Sequence, residues 1–119
     1  MPTLLIVDDE KRIRDIYRRF FLQEGFDVIE ASSAMEAKDI LVQNKEVDVV
    51  LLDINMPEVD GGILSQLINA FHKDVAIVVS SVYPVDEQRR LIPDADDYYD
   101  KSQGFDVLMK KVKEVVKRR

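Results

Sequence analysis

The chain reads as one α/β domain, a parallel sheet covered by helices on both faces, and three observations lead there. Short Val/Ile/Leu runs such as Thr3-Leu4-Leu5-Ile6-Val7 and Val47-Asp48-Val49-Val50-Leu51-Leu52 show little apolar–polar alternation. That is the pattern of strands buried on both faces. Each run is followed by apolar residues at helical spacing, giving five βα units with short connections and right-handed crossovers. Isolated charges stand at the exits of the runs: Asp8 and Asp9 after the first, Asp53 after the third, Lys101 near the chain's end. Ligands of such sheets bind beyond the carboxyl ends of the strands. Three carboxylates and one ammonium are therefore expected to meet in one crevice.

Each element has its own warrant. Leu4–Val7 is the first strand, and a helix from about Glu10 places Ile13, Ile16, Tyr17 and Phe20 on one face. Gly25 ends that helix, as a C-terminal glycine should. Phe26–Ala31 is the second strand. Ser33 and Glu36 then form a capping box, opening a helix that buries Ala34, Ala37, Ile40 and Leu41. Val47–Leu52 is the third strand. After Gly61-Gly62, the set Ile63, Leu64, Leu67, Ile68 and Phe71 predicts another helix. Val75–Val79 is the fourth strand, Asp86–Ile92 a short helix stopped by Pro93, and Asp96–Tyr99 a polar fifth strand near an edge. In that strand Tyr98 and Tyr99 alternate, one toward the core and one away. Phe105, Leu108, Met109, Val112, Val115 and Val116 mark the last helix.

Composition narrows the function classes. With 119 residues the chain fits a single domain spanning 1–119, with no output domain expected. A net charge of −6 argues against direct nucleic-acid binding. No cysteine is present and only one histidine, His72, so thiolate and most transition-metal chemistry is excluded and any metal is a hard, oxygen-liking ion. His72 falls near the end of the helix after Gly62, where a cation complements the dipole. No secretory signal and no membrane-length apolar stretch is visible, so the expected location is cytoplasmic.

Three aspartates cannot converge unaided. Each like-charge pair at about 4 Å costs roughly 4 kcal/mol at an effective dielectric near 20. Lys101 offsets part of this, and a divalent ion that prefers carboxylate oxygen offsets the rest. Such a site suits phosphoryl transfer, in which the protein positions groups and neutralises charge. A carboxylate can itself be the nucleophile, forming an aspartyl-phosphate.

Three segments carry a resemblance: Leu5-Ile6-Val7-Asp8-Asp9-Glu10, then Leu51-Leu52-Asp53-Ile54-Asn55-Met56-Pro57-Glu58-Val59-Asp60-Gly61, then Ala95-Asp96-Asp97-Tyr98-Tyr99-Asp100-Lys101. Together they resemble the signatures of response-regulator receiver domains of two-component signalling. The resemblance implies a flavodoxin-like (βα)5 fold, a three-layer α/β/α sandwich with strand order 2-1-3-4-5, in which Asp9 and Asp53 sit side by side. It also implies a phosphoacceptor at Asp53, loaded in a Mg2+-dependent reaction from a sensor histidine kinase or phosphotransfer protein. Asp9 would bind Mg2+ directly, Asp8 through water, with Asp53 and the carbonyl of Asn55 as further ligands. Lys101 would pair with the phosphoryl oxygens. A hydroxyl at the end of the fourth strand, and Tyr98 swinging inward with it, would switch a surface that engages a downstream target or a second copy. Such a chain is no enzyme beyond its own phosphorylation and slow dephosphorylation.

Two positions stay open. Ser80 and Ser81 compete for the hydroxyl role. Ser81 lies 28 residues after Asp53 and 20 before Lys101, and Ser81-Val82-Tyr83-Pro84 resembles the family's common Thr-Ala-Tyr pattern, which favours it over Ser80. Ser80 lengthens the path to Lys101 and is followed by a small residue. Where the family has proline after the lysine, Ser102 stands here, so a trans Lys101–Ser102 bond is expected. A basic stripe on the first helix, Arg12, Arg14, Arg18 and Arg19, reads first as a solvated face, and the resemblance makes it the candidate kinase-facing surface. The alternative function is a constitutive interaction module on the same fold, with switching lost. A flavin carrier is disfavoured because Asp8-Asp9-Glu10 is acidic where a phosphate cradle needs small residues. A haloacid-type phosphatase is disfavoured because Asp53-Ile54-Asn55 lacks the second acid.

Overall fold

The computed structural model describes residues 1–43, 46–55 and 74–118. Five parallel strands, β1 (Thr3–Val7), β2 (Asp27–Ala31), β3 (Val49–Asp53), β4 (Ala76–Ser81) and β5 (Asp97–Asp100), form one sheet of order β2-β1-β3-β4-β5. Four helices lie among the described residues: α1 (Lys11–Gln23), α2 (Ala34–Gln43), α3 (Val85–Leu91) and α4 (Phe105–Lys117). The helix expected after Gly62, with His72 near its end, lies outside the described residues.

The unalternating strands are buried on both sides because each face has its own core. Leu5, Val7, Val50, Leu52, Ile77 and Val79 pack under α2 and α3 with Ala37, Leu41 and Ile92. Leu4, Ile6, Val49, Leu51 and Val78 pack on the other face with Phe21 of α1 and Leu108, Val112 and Val115 of α4. This is the doubly wound, three-layer arrangement, and it puts the carboxyl ends of all five strands along one rim.

Helix α1 stops as expected at Gly25, whose φ of 88° only glycine adopts without cost. The Phe26 N–H donates to the Phe21 carbonyl at 3.0 Å and the Gly25 N–H to the Leu22 carbonyl at 3.1 Å. This is a Schellman closure, and the rings of Phe21 and Phe26 meet edge-on at 5.3 Å between centroids.

Several expectations are corrected. Ile16 and Phe20, expected to share one apolar face with Ile13 and Tyr17, are 42% and 41% exposed, while Phe21 is fully buried. The seam of α1 runs through Ile13, Tyr17 and Phe21, four residues apart, and Phe20 lies outside it against Phe105 at 4.2 Å. The capping box at α2 is displaced by one residue. The Glu36 N–H donates to Ser33 Oγ at 3.1 Å, but its carboxylate accepts from the N–H and hydroxyl of Ser32, not from Ser33. Tyr98 and Tyr99 do not divide into core and solvent; both are 3% exposed, one in each core. Even the edge strand is covered on both faces. The strands β3 to β5 and α3 also lie one or two residues from their expected bounds.

Candidate functional site

The register of the sheet assembles the site. Strands β1 and β3 pair Val7 with Leu52, so the next residues out, Asp8 and Asp53, are lateral neighbours at the rim. Asp8 is thus the acid directly beside Asp53, with Asp9 one step further along the exposed turn. On the other side Asp53 pairs with Ser80 of β4. Lys101, one residue beyond β5, donates its backbone N–H to the Ser81 carbonyl at 2.8 Å. Its Nζ reaches back across β4 to stand 3.3 Å from Asp53 Oδ2 and 3.6 Å from Asp8 Oδ2. Charges from three strand exits meet there.

Asp53 is buried, and each of its oxygens has a defined contact. Oδ1 accepts the Asn55 N–H at 2.9 Å while Oδ2 faces Lys101. Burial raises its carboxyl above the usual range, the charge of Asp8 adds to this, and the Asn55 N–H and Lys101 pull against it. Asp8 is buried as well, and its Oδ1 accepts the Glu10 N–H at 2.9 Å, closing a tight turn. Asp9 and Glu10 are exposed. Carboxylate oxygens of Asp8, Asp9 and Glu10 all lie within 4.8 Å of one another. This all-oxygen, anionic donor set fits a hard divalent cation. Glu10 was not among the expected ligands; it reads in sequence as the helix's first acidic residue. Asn55, whose backbone carbonyl is an expected ligand, uses its side chain to accept the Val82 N–H at 2.9 Å, tying the end of β3 to the loop after β4.

The two serines differ in orientation. Ser81 lies on the face of Tyr98, since β4 and β5 pair Val79 with Tyr98 and Ser81 with Asp100. Its hydroxyl accepts the Tyr83 N–H at 3.0 Å. Ser80 points to the opposite face, is 1% exposed, and its hydroxyl has no partner among the described residues. The phenol of Tyr17 approaches Ser80 Oγ without completing a hydrogen bond. Burial, with the charges of Asp8 and Asp53 nearby, holds that phenol well above its ordinary range. Tyr98 is turned inward, and its hydroxyl donates to the Ile92 carbonyl. Gln88 of α3, fully buried, donates its amide to the carbonyls of Tyr83 at 2.8 Å and Tyr99 at 2.9 Å. It joins the loop after Ser81 to the strand that carries Lys101. No periodicity would single out this glutamine.

The Lys101–Ser102 peptide is trans, as expected. The Ser102 N–H donates to Asp100 Oδ1 at 2.8 Å and the Gln103 N–H to the Asp100 carbonyl at 2.8 Å. Hydrogen bonding to Ser102 lowers the Asp100 carboxyl below the usual range. Asp100 therefore sets the path after Lys101.

This fold and this site define a receiver domain, and comparison with known proteins agrees. The chain belongs to the response regulator receiver domain family, whose pattern it matches over residues 4–113. It is 35% identical over 103 residues to the response regulator SaeR of Staphylococcus epidermidis, covering 85% of this chain and 44% of that protein. It is 36% identical over 92 residues to the sensor kinase CckA of Brucella abortus, covering 76% of this chain and 10% of the kinase. The chain therefore spans about half the length, or far less, of the curated relatives it matches. The response regulator TrrA of Thermotoga maritima, solved in complex with Mg2+–BeF, superposes with a TM-score of 0.87 at 32% identity, covering 97% of this chain and 99% of that one. A receiver domain from Clostridium thermocellum, at 23% identity, shares the fold with a TM-score of 0.90 over 99% of this chain and 96% of its own. Receiver domains are signalling modules rather than classical enzymes, and phosphorylation-dependent switching is the usual function of the family. Among the described residues no helix is long and apolar enough to cross a membrane.

Proposed function

We propose that the 119 residues constitute one receiver domain, phosphorylated on Asp53 by a histidine kinase or phosphotransfer protein and switching a protein-interaction surface in response. A carboxylate oxygen of Asp53 attacks the phosphorus of a phosphohistidine. A P–O bond forms, the P–N bond breaks, and the electron pair and a proton end on the imidazole nitrogen. Asp8, Asp9, Asp53 and the Asn55 carbonyl would hold Mg2+, which when bound would supply charge neutralisation at the phosphoryl oxygens. Lys101 is the fixed cation on the other side. The observation that carries this reading is the position of Lys101 Nζ, 3.3 Å from Asp53 and 3.6 Å from Asp8, an ammonium shared between acceptor and metal acid. The same site gives the domain its own phosphorylation from small donors and slow dephosphorylation, and no other catalysis.

Ser81 is the switch hydroxyl in this account, because it shares the face of Tyr98 and sits at the top of β4. The partners are a kinase, docked on the basic stripe of α1, and a downstream protein or second copy, in the cytoplasm; nucleic acid is not contacted directly. Acetyl phosphate with Mg2+ is expected to add one phosphoryl group, read by intact mass. Asp53→Asn is expected to abolish it, and undiminished labelling of that variant would refute the assignment.

One observation favours the second reading, a constitutive interaction module. Tyr98 is already inward and its hydroxyl already bonded to the Ile92 carbonyl. Mg2+ and beryllofluoride titrations followed by tyrosine fluorescence separate the two, and a flat response to both supports the constitutive module.

A further inference from the structure

Arg14 is the least exposed of the α1 arginines that form ion pairs, with a side chain 13% accessible against 48% for Arg18. It also makes a contact that a solvated basic stripe does not require. Its Nη1 donates to the backbone carbonyl of Asp8 at 2.7 Å, and its Nε donates to Glu30 Oε1 at 3.2 Å. Glu30 lies on β2, one residue before Ala31, whose carbonyl accepts the Asp8 N–H at 3.1 Å. The other oxygen of Glu30 accepts from Arg18 at 3.2 Å.

Asp8 is therefore held at its N–H by β2, at its carboxylate by the Glu10 N–H, and at its carbonyl by Arg14. That carbonyl belongs to the peptide joining Asp8 to Asp9. Fixing its direction fixes the plane from which the Asp9 side chain departs. A planar guanidinium with donors in a rigid fork can serve a carbonyl and a carboxylate at once, whereas an ammonium is a single point of charge.

We propose that Arg14, anchored by Glu30, is a positioning residue for the divalent cation: it orients the Asp8–Asp9 peptide so that the acids of the turn converge. The proposal rests on the reading of Asp8, Asp9 and Asp53 as a cation site. Outer-sphere groups that orient ligands typically change metal affinity by roughly 10–100-fold when removed. The sign of the effect separates positioning from charge. A guanidinium beside a cation site repels the cation, so deleting its charge alone would tighten Mg2+ binding. Loss of positioning weakens it.

The test is Mg2+ binding by titration calorimetry to the wild type, Arg14→Met and Arg14→Lys, with thermal melts in chelator and acetyl phosphate labelling across Mg2+ concentrations. We expect the Mg2+ dissociation constant to rise roughly tenfold in Arg14→Met. Arg14→Lys, which keeps the charge but not the fork, also weakens binding. Labelling of both variants recovers to the wild-type rate at saturating Mg2+. Unchanged or tighter Mg2+ binding in Arg14→Met overturns the proposal. Wild-type affinity in Arg14→Lys does so as well, and remains decisive if Arg14→Met fails to fold. Labelling that stays depressed at saturating Mg2+, together with a lowered melting temperature, would reduce Arg14 to a structural residue and also overturns it. A wild type that labels normally while the variants behave like it leaves the phosphoacceptor standing without Arg14. A wild type that ignores Mg2+ removes both.

Discussion

The two sides of the rim are built differently. On the side of β1, β2 and α1, the acidic turn is held at every backbone group of Asp8 and closed by its own carboxylate. On the side of β4, β5 and α3, the corresponding loop is tied mainly by side chains: Ser81 Oγ to the Tyr83 N–H, Asn55 to the Val82 N–H, and the Gln88 amide to two carbonyls, with the Lys101 N–H on the Ser81 carbonyl. Val82, Tyr83 and Leu91 on that side are exposed at 64%, 42% and 55%. The difference separates an acidic turn fixed through its backbone from a loop fixed through side chains, the division expected between the proposed ligand set and the proposed switch. Metal coordination needs preformed geometry, whereas a switch needs an element stabilised by few interactions.

Lys101 spans the two sides, so the largest effect belongs there. Lys101→Ala removes the cation shared by Asp8 and Asp53 and is expected to slow acetyl phosphate labelling about a hundredfold, measured by intact mass over time. Near-normal labelling would mean that the acidic side works alone.

Gln88→Leu breaks the only side-chain link, among the described residues, between the Tyr83 carbonyl and the Tyr99 carbonyl. It should cost about 2 kcal/mol in chemical denaturation while leaving Asp53 labelling intact, since the acidic side is untouched. Loss of labelling there would merge the two regions into one unit.

Gly25→Ala probes the far end of α1. A Cβ at Gly25 meets nothing within 4 Å, so the cost comes from its φ of +88° alone. A destabilisation of about 1 kcal/mol, with unchanged Mg2+ affinity, is expected.

The smallest effect is a gain. Burial raises the Asp53 carboxyl in the folded protein, so at neutral pH its ionised form works against folding. Asp53→Asn removes that cost and should raise the chelated protein's melting temperature by a few degrees, as relief of about 1 kcal/mol does at this size. The sign follows from linkage: a raised carboxyl binds its proton more tightly folded than unfolded, so stability is lost as pH rises. The gain should be full at neutral pH, fade as pH falls through the raised folded value toward the ordinary aspartate range, and be gone below that range. A gain that persists in acid would point to packing instead of charge.

Much of this arrangement was legible in the residues. Unalternating runs gave strands buried on both faces, and acids at their exits marked the rim, because strand direction and burial are local signals. Gly25 was legible because only glycine suits a left-handed helix end. The core face of α1 was not, since Phe20 and Phe21 are adjacent and apolar periodicity accepts either. Glu36 found Ser32 because two serines precede the helix. Arg14 was hidden in a stripe of arginines that reads as solvated; the lone acid Glu30 within Val28-Ile29-Glu30-Ala31 was the one clue to a buried partner. Gln88 had no clue at all.

The most direct test is chemical trapping of the acceptor. After acetyl phosphate treatment with Mg2+, borohydride reduces an aspartyl-phosphate to homoserine, and peptide mass spectrometry locates it. Homoserine at position 53, absent when Mg2+ is chelated, is the predicted result. Homoserine at another acid, or none while wild-type protein is demonstrably folded and Mg2+-loaded, would contradict the account.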